Sequence, residues 1–320
     1  MEPWLIVLCF AAIALMRVVQ KVCSKKVSNA VVGKTYFHYG GYYQFLSALF
    51  ALITLIFVGF HGFDLPTVLC ALGTAVFMAI ELFAGIEALK GCSLIVSQMF
   101  SVGALFIPCL VGIFLFNEPM SLWQWIGLAI FMVAMYFMVS PSKEKQAEKP
   151  TQKMSVKTLL VLIVGLIASG GTMVVQKVFA VLVPNGNVAM YSFLMFALNA
   201  LLLYGCYVVS IFFKKGKETP KESVETAQNP PINAKPKWEK LPVVLLVCGA
   251  FLALAVFLIN QLVTTVAKTV PSAILFSVSY AISIVITILV GAIYYKEKIT
   301  LKNVIGIVLC VGALAIINFL

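Results

Sequence analysis

Ten runs of mostly apolar residues, each long enough to cross a lipid bilayer, follow one another along this 320-residue chain. The hydrocarbon core offers no water to an unpaired N–H or C=O, so runs of about 17–25 apolar residues cross it as helices. They lie near 4–22, 42–61, 66–89, 92–116, 122–140, 157–181, 188–213, 241–266, 271–295 and 303–320. With 62% apolar and 11% charged residues the chain is far from a soluble domain, which is about 45–50% apolar and about 25% charged. Met1-Glu2-Pro3 sets no basic residue ahead of the first run, so that run is expected to stay as a helix and not be removed as a secretory signal. The expected fold class is an all-α membrane protein with ten transmembrane helices.

The loops between the runs set the orientation. Lys and Arg are retained on the cytoplasmic side, and 20 of the 23 basic residues fall in the first, third, fifth, seventh and ninth loops or at the span ends beside them. The other side holds Lys268 alone, while Arg17 and Lys177 lie within spans. The odd-numbered loops are therefore expected in the cytoplasm and both termini outside. Two connections are long and polar: a linker at 141–156, and a loop near 214–240 with Pro220, Pro230, Pro231 and Pro236. The loop is too polar to bury a core.

The chain also repeats itself. Leu110-Val111-Gly112, Glu118, Leu122 and Gly127 recur as Leu289-Val290-Gly291, Glu297, Leu301 and Gly306, all 179 residues later. Val18-Val19-Gln20-Lys21-Val22 recurs as Val174-Val175-Gln176-Lys177-Val178, and Tyr43-x-Phe45-Leu46 as Tyr191-x-Phe193-Leu194. Two five-helix repeats are expected, at 1–140 and 157–320. Five is odd, so the second enters the membrane from the opposite side. The loop at Asn117–Ser121 has no Lys, whereas its copy has Lys296 and Lys298. Inverted repeats are a recurrent carrier plan, because two pseudo-symmetric packings can open one site to either side.

Five helices plus five, a glycine followed six residues later by a glutamate (Gly112 and Glu118, Gly291 and Glu297), and a following helix with L-x-x-x-x-G resemble the drug/metabolite transporter superfamily, in its EamA-like ten-helix branch. The Gln20-Lys21 pair late in the first helix is similar to that of the related nucleotide-sugar and triose-phosphate carriers. The resemblance spans nearly the whole chain. It implies a bacterial plasma-membrane carrier whose central cavity is lined by the first four helices of each half. The fifth and tenth helices would lie at the periphery, where two chains could meet as a homodimer. Members of known topology mostly keep both termini inside; the charges here put them outside.

A charged side chain at bilayer depth costs about 2.5–3.5 kcal/mol on insertion scales, so it faces a cavity or a partner. Glu81 lies about five residues beyond the middle of the third span, roughly 7 Å along the helix. It reads either as a substrate or proton site or as a structural partner of Arg17. Arg17, Gln20 and Lys21, at i, i+3 and i+4, share one face of the first helix. Lys21 could instead snorkel to the headgroups. Its copy Lys177 sits late in a helix expected to end outside, against the charge bias, and is read as a cavity residue beside Gln176. Such a pair of cations suits an anionic or polar substrate. Tyr43, Tyr191 and Tyr280 could line the cavity or anchor at the interface. Gln98, Asn199, Asn260 and Gln261 need hydrogen-bond partners in lipid, from substrate or from neighbouring helices. Ser169-Gly170-Gly171 is expected to allow close helix approach, and Glu118 and Glu297 to cap the fifth and tenth helices.

Other classes fare worse. The single Asp (Asp64), the two His (His38 and His61, on opposite sides) and the absence of H-x-x-x-H, paired carboxylates and G-x-S-x-G argue against an enzyme. A net charge of +11 sits in loops between apolar runs, facing anionic lipid; it offers no nucleic-acid groove. The eight cysteines form no C-x-x-C and lie in or beside spans, as packing residues. No G-x-x-x-x-G-K-[ST] is present, and no cofactor or metal is expected. What fits is a secondary carrier exporting a small polar metabolite (an amino acid, sugar, nucleotide-like or drug-like molecule) by proton coupling or exchange. A passive channel is the alternative. The charge asymmetry gives a direct test: a C-terminal reporter that works only in the cytoplasm should be silent, and an active one would overturn the assigned orientation.

Overall fold

The computed structural model of the chain describes residues 3–33, 35–60, 62, 64–116, 121–139, 155–213, 241–270, 272–295 and 301–319. Eleven helices account for nearly all of them: α1 (Pro3–Val27), α2 (Thr35–Val58), α3 (Leu65–Gly91), α4 (Leu94–Gly103), α5 (Phe106–Phe116), α6 (Leu122–Val139), α7 (Val156–Leu182), α8 (Val188–Phe213), α9 (Val243–Val266), α10 (Ser272–Ile293) and α11 (Leu301–Phe319). No strand occurs among the described residues. Among the described residues seven stretches are long and apolar enough to cross a membrane, with α4 and α5 together supplying one of them, Val96–Phe116. At the fifth, ninth and tenth expected spans the apolar stretches are shorter: Leu122–Ala134, Val278–Ile293 and Val304–Ala313. Glu118 and Glu297, the linker at 141–154 and the loop at 214–240 lie outside the described residues.

Helix ends follow local chemistry. Asp64 caps α3, its carboxylate accepting from Thr67 N (3.2 Å) and Thr67 Oγ1 (2.6 Å), with proline in the first turn. Ser93 caps α4 and Ser155 caps α7 through the same type of bond. The expected fourth span, 92–116, is interrupted at Ala104–Leu105. Pro108 explains the break: it has no N–H for the Ala104 carbonyl, and its ring crowds that carbonyl. The freed oxygen instead accepts from Ile107 N at 3.2 Å.

Most packing joins the first half of the chain to the second. The closest pairings are α2 with α8, α3 with α7, α6 with α11 and α1 with α9. Along the α3–α7 seam a glycine stands at every level. Gly73 meets Val175, Gly171 meets Phe77, Gly165 meets Ala84, and Gly91 meets Thr158. The partner numbers fall as the α3 numbers rise, so the two helices run antiparallel. Small residues matter here because lipid tails compete equally for apolar surface, leaving close packing and hydrogen bonds to hold helices together. Large apolar side chains such as Phe57, Phe114, Phe212 and Phe251 stay exposed on the outside, where lipid and not water would meet them. All eight cysteines are free.

Gly170 nests against the α4–α5 break: a Cβ there would lie 2.7 Å from Ile107 Cβ and 3.0 Å from the Ala104 carbonyl oxygen. Gly205, on α8, has nothing within 4 Å. Gly170→Ala should therefore lower the Tm of the purified protein by an overpacking cost of about 1–3 kcal/mol, while Gly205→Ala should leave it unchanged or raise it. Equal melting of the two variants would contradict this packing.

Candidate functional site

Between the halves lies a cavity of about 90 Å³. It runs from the middle of the bundle toward the lysine-rich end of α1, α3 and the start of α7. The α1 wall is Arg17, Gln20, Lys21 and Ser24, one helix face. Glu81 enters from α3, Gln98 and Ser101 from α4, Tyr43 from α2 and Tyr280 from α10. Ser97 of α4 also lines it, and the rest of the lining, including Met78, Leu82, Leu162, Leu252 and Val256, is apolar.

Each cation in this wall is held by neutral oxygen. Arg17 Nη1 donates to Tyr280 OH at 2.8 Å, and its guanidinium carbon stands 4.0 Å from the Tyr280 ring centroid. Lys21 Nζ donates to Ser101 Oγ at 2.6 Å and Ser97 Oγ at 3.3 Å. Gln98 Nε2 donates to Ser283 Oγ at 3.1 Å, and Gln44 Nε2 to Tyr43 OH at 3.1 Å. Glu81 feels the charges of Lys21 and Arg17 through space and stands beside Ser169 of α7. Among the described residues no direct ion pair joins it to either cation. Arg17 thus has Tyr280 as its close partner, where the sequence suggested Glu81. The wall thus brings two basic side chains and one acidic side chain together.

Seven of the thirteen residues singled out in sequence come together here: Arg17, Gln20, Lys21, Tyr43, Glu81, Gln98 and Tyr280. The other six do not line this cavity; Asn199, on α8, is fully buried. Gln176 donates to Asn260 Oδ1, and Asn260 Nδ2 to the Val256 carbonyl at 2.8 Å. Tyr191 shares a 2.7 Å bond with Thr74 and stacks on Phe179. Gln261 accepts from Ser192 at 2.8 Å, and Lys177 is buried on α7. The split follows the matched sequence segments: Gln20, Lys21 and Tyr43 line the cavity, while their counterparts Gln176, Lys177 and Tyr191 are packed away. None of the three tyrosines is an interfacial anchor; each is at least 95% buried.

Both ends are tied by polar contacts. At the lysine-rich end, Lys25 donates to the Leu89 and Cys92 carbonyls at 3.1 and 3.0 Å, capping α3. Glu87 there accepts from Tyr36, from Lys90 at 2.9 Å and from Lys157 at 3.3 Å. At the far end Asn187 Nδ2 donates to the Gly59 carbonyl at 2.9 Å. Lys268 donates to the carbonyls of Pro184 and Gly186 at 3.1 and 2.8 Å, and partial burial lowers its pKa. The serines at 97, 101 and 283 were missed in sequence, and Ser169 was read there only as part of a close helix approach. Their signal is the i, i+4 spacing of Ser97 and Ser101 within an apolar run, on the face that meets Lys21. No group of three or more His, Cys, Asp or Glu able to hold a metal ion occurs among the described residues.

Comparison with known proteins adds the following. The model of the EamA-like transporter family matches residues 156–319, just over half of the chain. No curated protein matches. Among solved structures 28 chains match. One, described as a crystal structure of a protein, aligns with a TM-score of 0.59 at 14% identity, over 97% of this chain and 96% of that one. At that identity the likeness concerns the fold alone.

Proposed function

This chain belongs to the EamA-like transporter family and is an integral, multi-pass membrane protein; from that premise we propose that it is a secondary carrier exporting a small polar metabolite by alternating access. In this reading ten spans form two inverted halves, 1–140 and 157–320, with both termini outside. The pattern of helix contacts supports the repeat. Exchanging α1, α2 and α3 for α7, α8 and α9 turns the α1–α9 pairing into α3–α7, and α2–α9 into α3–α8, and all four pairings occur. The family match, beginning at residue 156, supports the same division.

One observation carries the carrier reading. Equivalent polar residues are used unequally: the first-half set lines a cavity near the lysine-rich side, and the second-half set is packed and hydrogen-bonded toward the other. In an inverted repeat, exchanging the two packings would close the first set and open the second. The structure is then one of two states, open toward the cytoplasm. The ties at Asn187 and Lys268 act as the closed gate, and those at Glu87 as contacts that rearrange in the opposite state.

Glu81 is the coupling candidate, as the one acid in the cavity wall. Glu81→Gln keeps size and hydrogen bonding but cannot titrate. In proteoliposomes, with the metabolite that most raises the Tm of the purified chain, this variant should lose proton-driven accumulation yet keep saturable exchange between equilibrated compartments. Accumulation equal to that of the parent protein would remove Glu81 from coupling, and flux that neither saturates nor shows counterflow would favour a channel.

A further inference from the structure

Resting on the carrier reading above, we infer that Gln44 and Asn199 are positioning residues. Paired across the α2–α8 seam behind the cavity, they hold Tyr43 so that its hydroxyl donates to an acceptor oxygen of the bound ligand. Tyr43 lines the cavity, and its hydroxyl oxygen accepts from Gln44 Nε2 at 3.1 Å. With an amide donating to that oxygen, the phenol has its own O–H left to offer the cavity. Gln44 is fully buried, and its Oε1 has no partner among the described residues. Asn199 is fully buried as well, and among the described residues neither its Nδ2 nor its Oδ1 has a partner. These three atoms have almost no accessible surface, so neither the cavity nor the lipid reaches them. They can be met only from inside the helix bundle, and a buried polar atom left unmet is costly.

Register brings the two amides together. Gly40 of α2 meets Leu203 of α8, His38 stacks on Tyr207, and Leu55 packs with Ala189 and Met190. Partner numbers fall as the α2 numbers rise, so α2 and α8 run antiparallel. One turn beyond the Gly40–Leu203 contact, on the same two faces, stand Gln44 and Asn199. Gln44 carries an unmet acceptor and Asn199 an unmet donor, so a bond from Asn199 Nδ2 to Gln44 Oε1 meets a need on each side. Asn and Gln side chains join transmembrane helices in this way, because hydrocarbon supplies no competing water. Once paired, the Gln44 amide is fixed at both ends, by Asn199 through Oε1 and by Tyr43 through Nε2. Asn199 never touches the ligand; it acts through Gln44 on the Tyr43 hydroxyl. As interhelical glue alone, it would leave that hydroxyl indifferent to its loss.

The test reads Tyr43 directly in the full purified chain. With carbon-13 at Cζ of every tyrosine, the Tyr43 signal is the one lost in Tyr43→Phe, and its position reports the hydrogen bonds of its hydroxyl. Gln44→Leu should move that signal, and Asn199→Leu should move it in the same direction. Thr287→Val, which removes another buried hydroxyl without a partner among the described residues, should leave it in place. Asn199→Ala serves the same purpose if leucine does not fit. In parallel, the compound that most raises Tm in a panel of amino acids, sugars and nucleotides is the transport probe in proteoliposomes. Tyr43→Phe should weaken its binding about tenfold, the worth of one hydrogen bond, and Asn199→Leu by part of that loss. The double variant should bind no more weakly than Tyr43→Phe alone, because Asn199 has no other route to the ligand. A Tyr43 signal that stays in place in both Asn199 variants, or losses of affinity that add, would overturn the relay and leave the carrier reading intact. Absence of counterflow with every compound would overturn the carrier reading and, with it, the ligand-facing role of Tyr43.

Discussion

A guanidinium and an ammonium one helical turn apart on α1 cannot stay at bilayer depth unless other helices bring oxygen to them. Each carries an insertion cost of about 2.5–3.5 kcal/mol, and the side-chain oxygens that bond them lie on other helices. The oxygen comes from elsewhere in the chain: Ser97 and Ser101 of α4 for Lys21, and Tyr280 of α10, 263 residues away, for Arg17. Those partners reach α1 only because the two halves interleave. The glycine-lined seam draws α7 against α3, and the break imposed by Pro108 gives Gly170 its place beside α4 and α5. Close packing and charge accommodation are therefore one problem with one solution. A bulkier residue in the seam would move the oxygens that the cations need.

Glu81 completes this balance without a direct ion pair. Buried pairs gain little over well-packed apolar residues, while losing one partner leaves a costly uncompensated charge. The acid stands near both cations while each of these is bonded to neutral oxygen, so no buried ion pair is formed among the three. A locked Arg17–Glu81 bridge would have stiffened the wall and filled the cavity with its own atoms.

Much of this was legible in the sequence, for particular reasons. Helix periodicity alone puts Arg17, Gln20 and Lys21 on one face, and their cost in lipid marks that face as inward. The same cost singles out Glu81. What was not legible depends on contacts between distant segments. Nothing local to Arg17 reveals that Tyr280 takes its proton donor while Glu81 stands back. Nothing local to Gln176, Lys177 or Tyr191 reveals that they are packed away while Gln20, Lys21 and Tyr43 line a cavity, because a match in sequence does not record which contacts each segment makes. The α4–α5 break could have been read from Pro108; hydropathy hid it, since both pieces are apolar. Glu118 and Glu297, the clearest matched pair in the repeat, lie outside the described residues.

The central claim is that Gln20 and Gln176 are equivalent positions serving opposite sides of the membrane in turn. Placing a single cysteine at either position, in a chain whose eight native cysteines are replaced, allows a water-soluble thiol reagent to report on each. The account predicts that residue 20 reacts from the lysine-rich side while residue 176 is protected. Transported substrate supplied from the other side should raise reactivity at 176 and lower it at 20. Simultaneous reactivity of both, or a residue 176 that stays protected under every gradient, would contradict it.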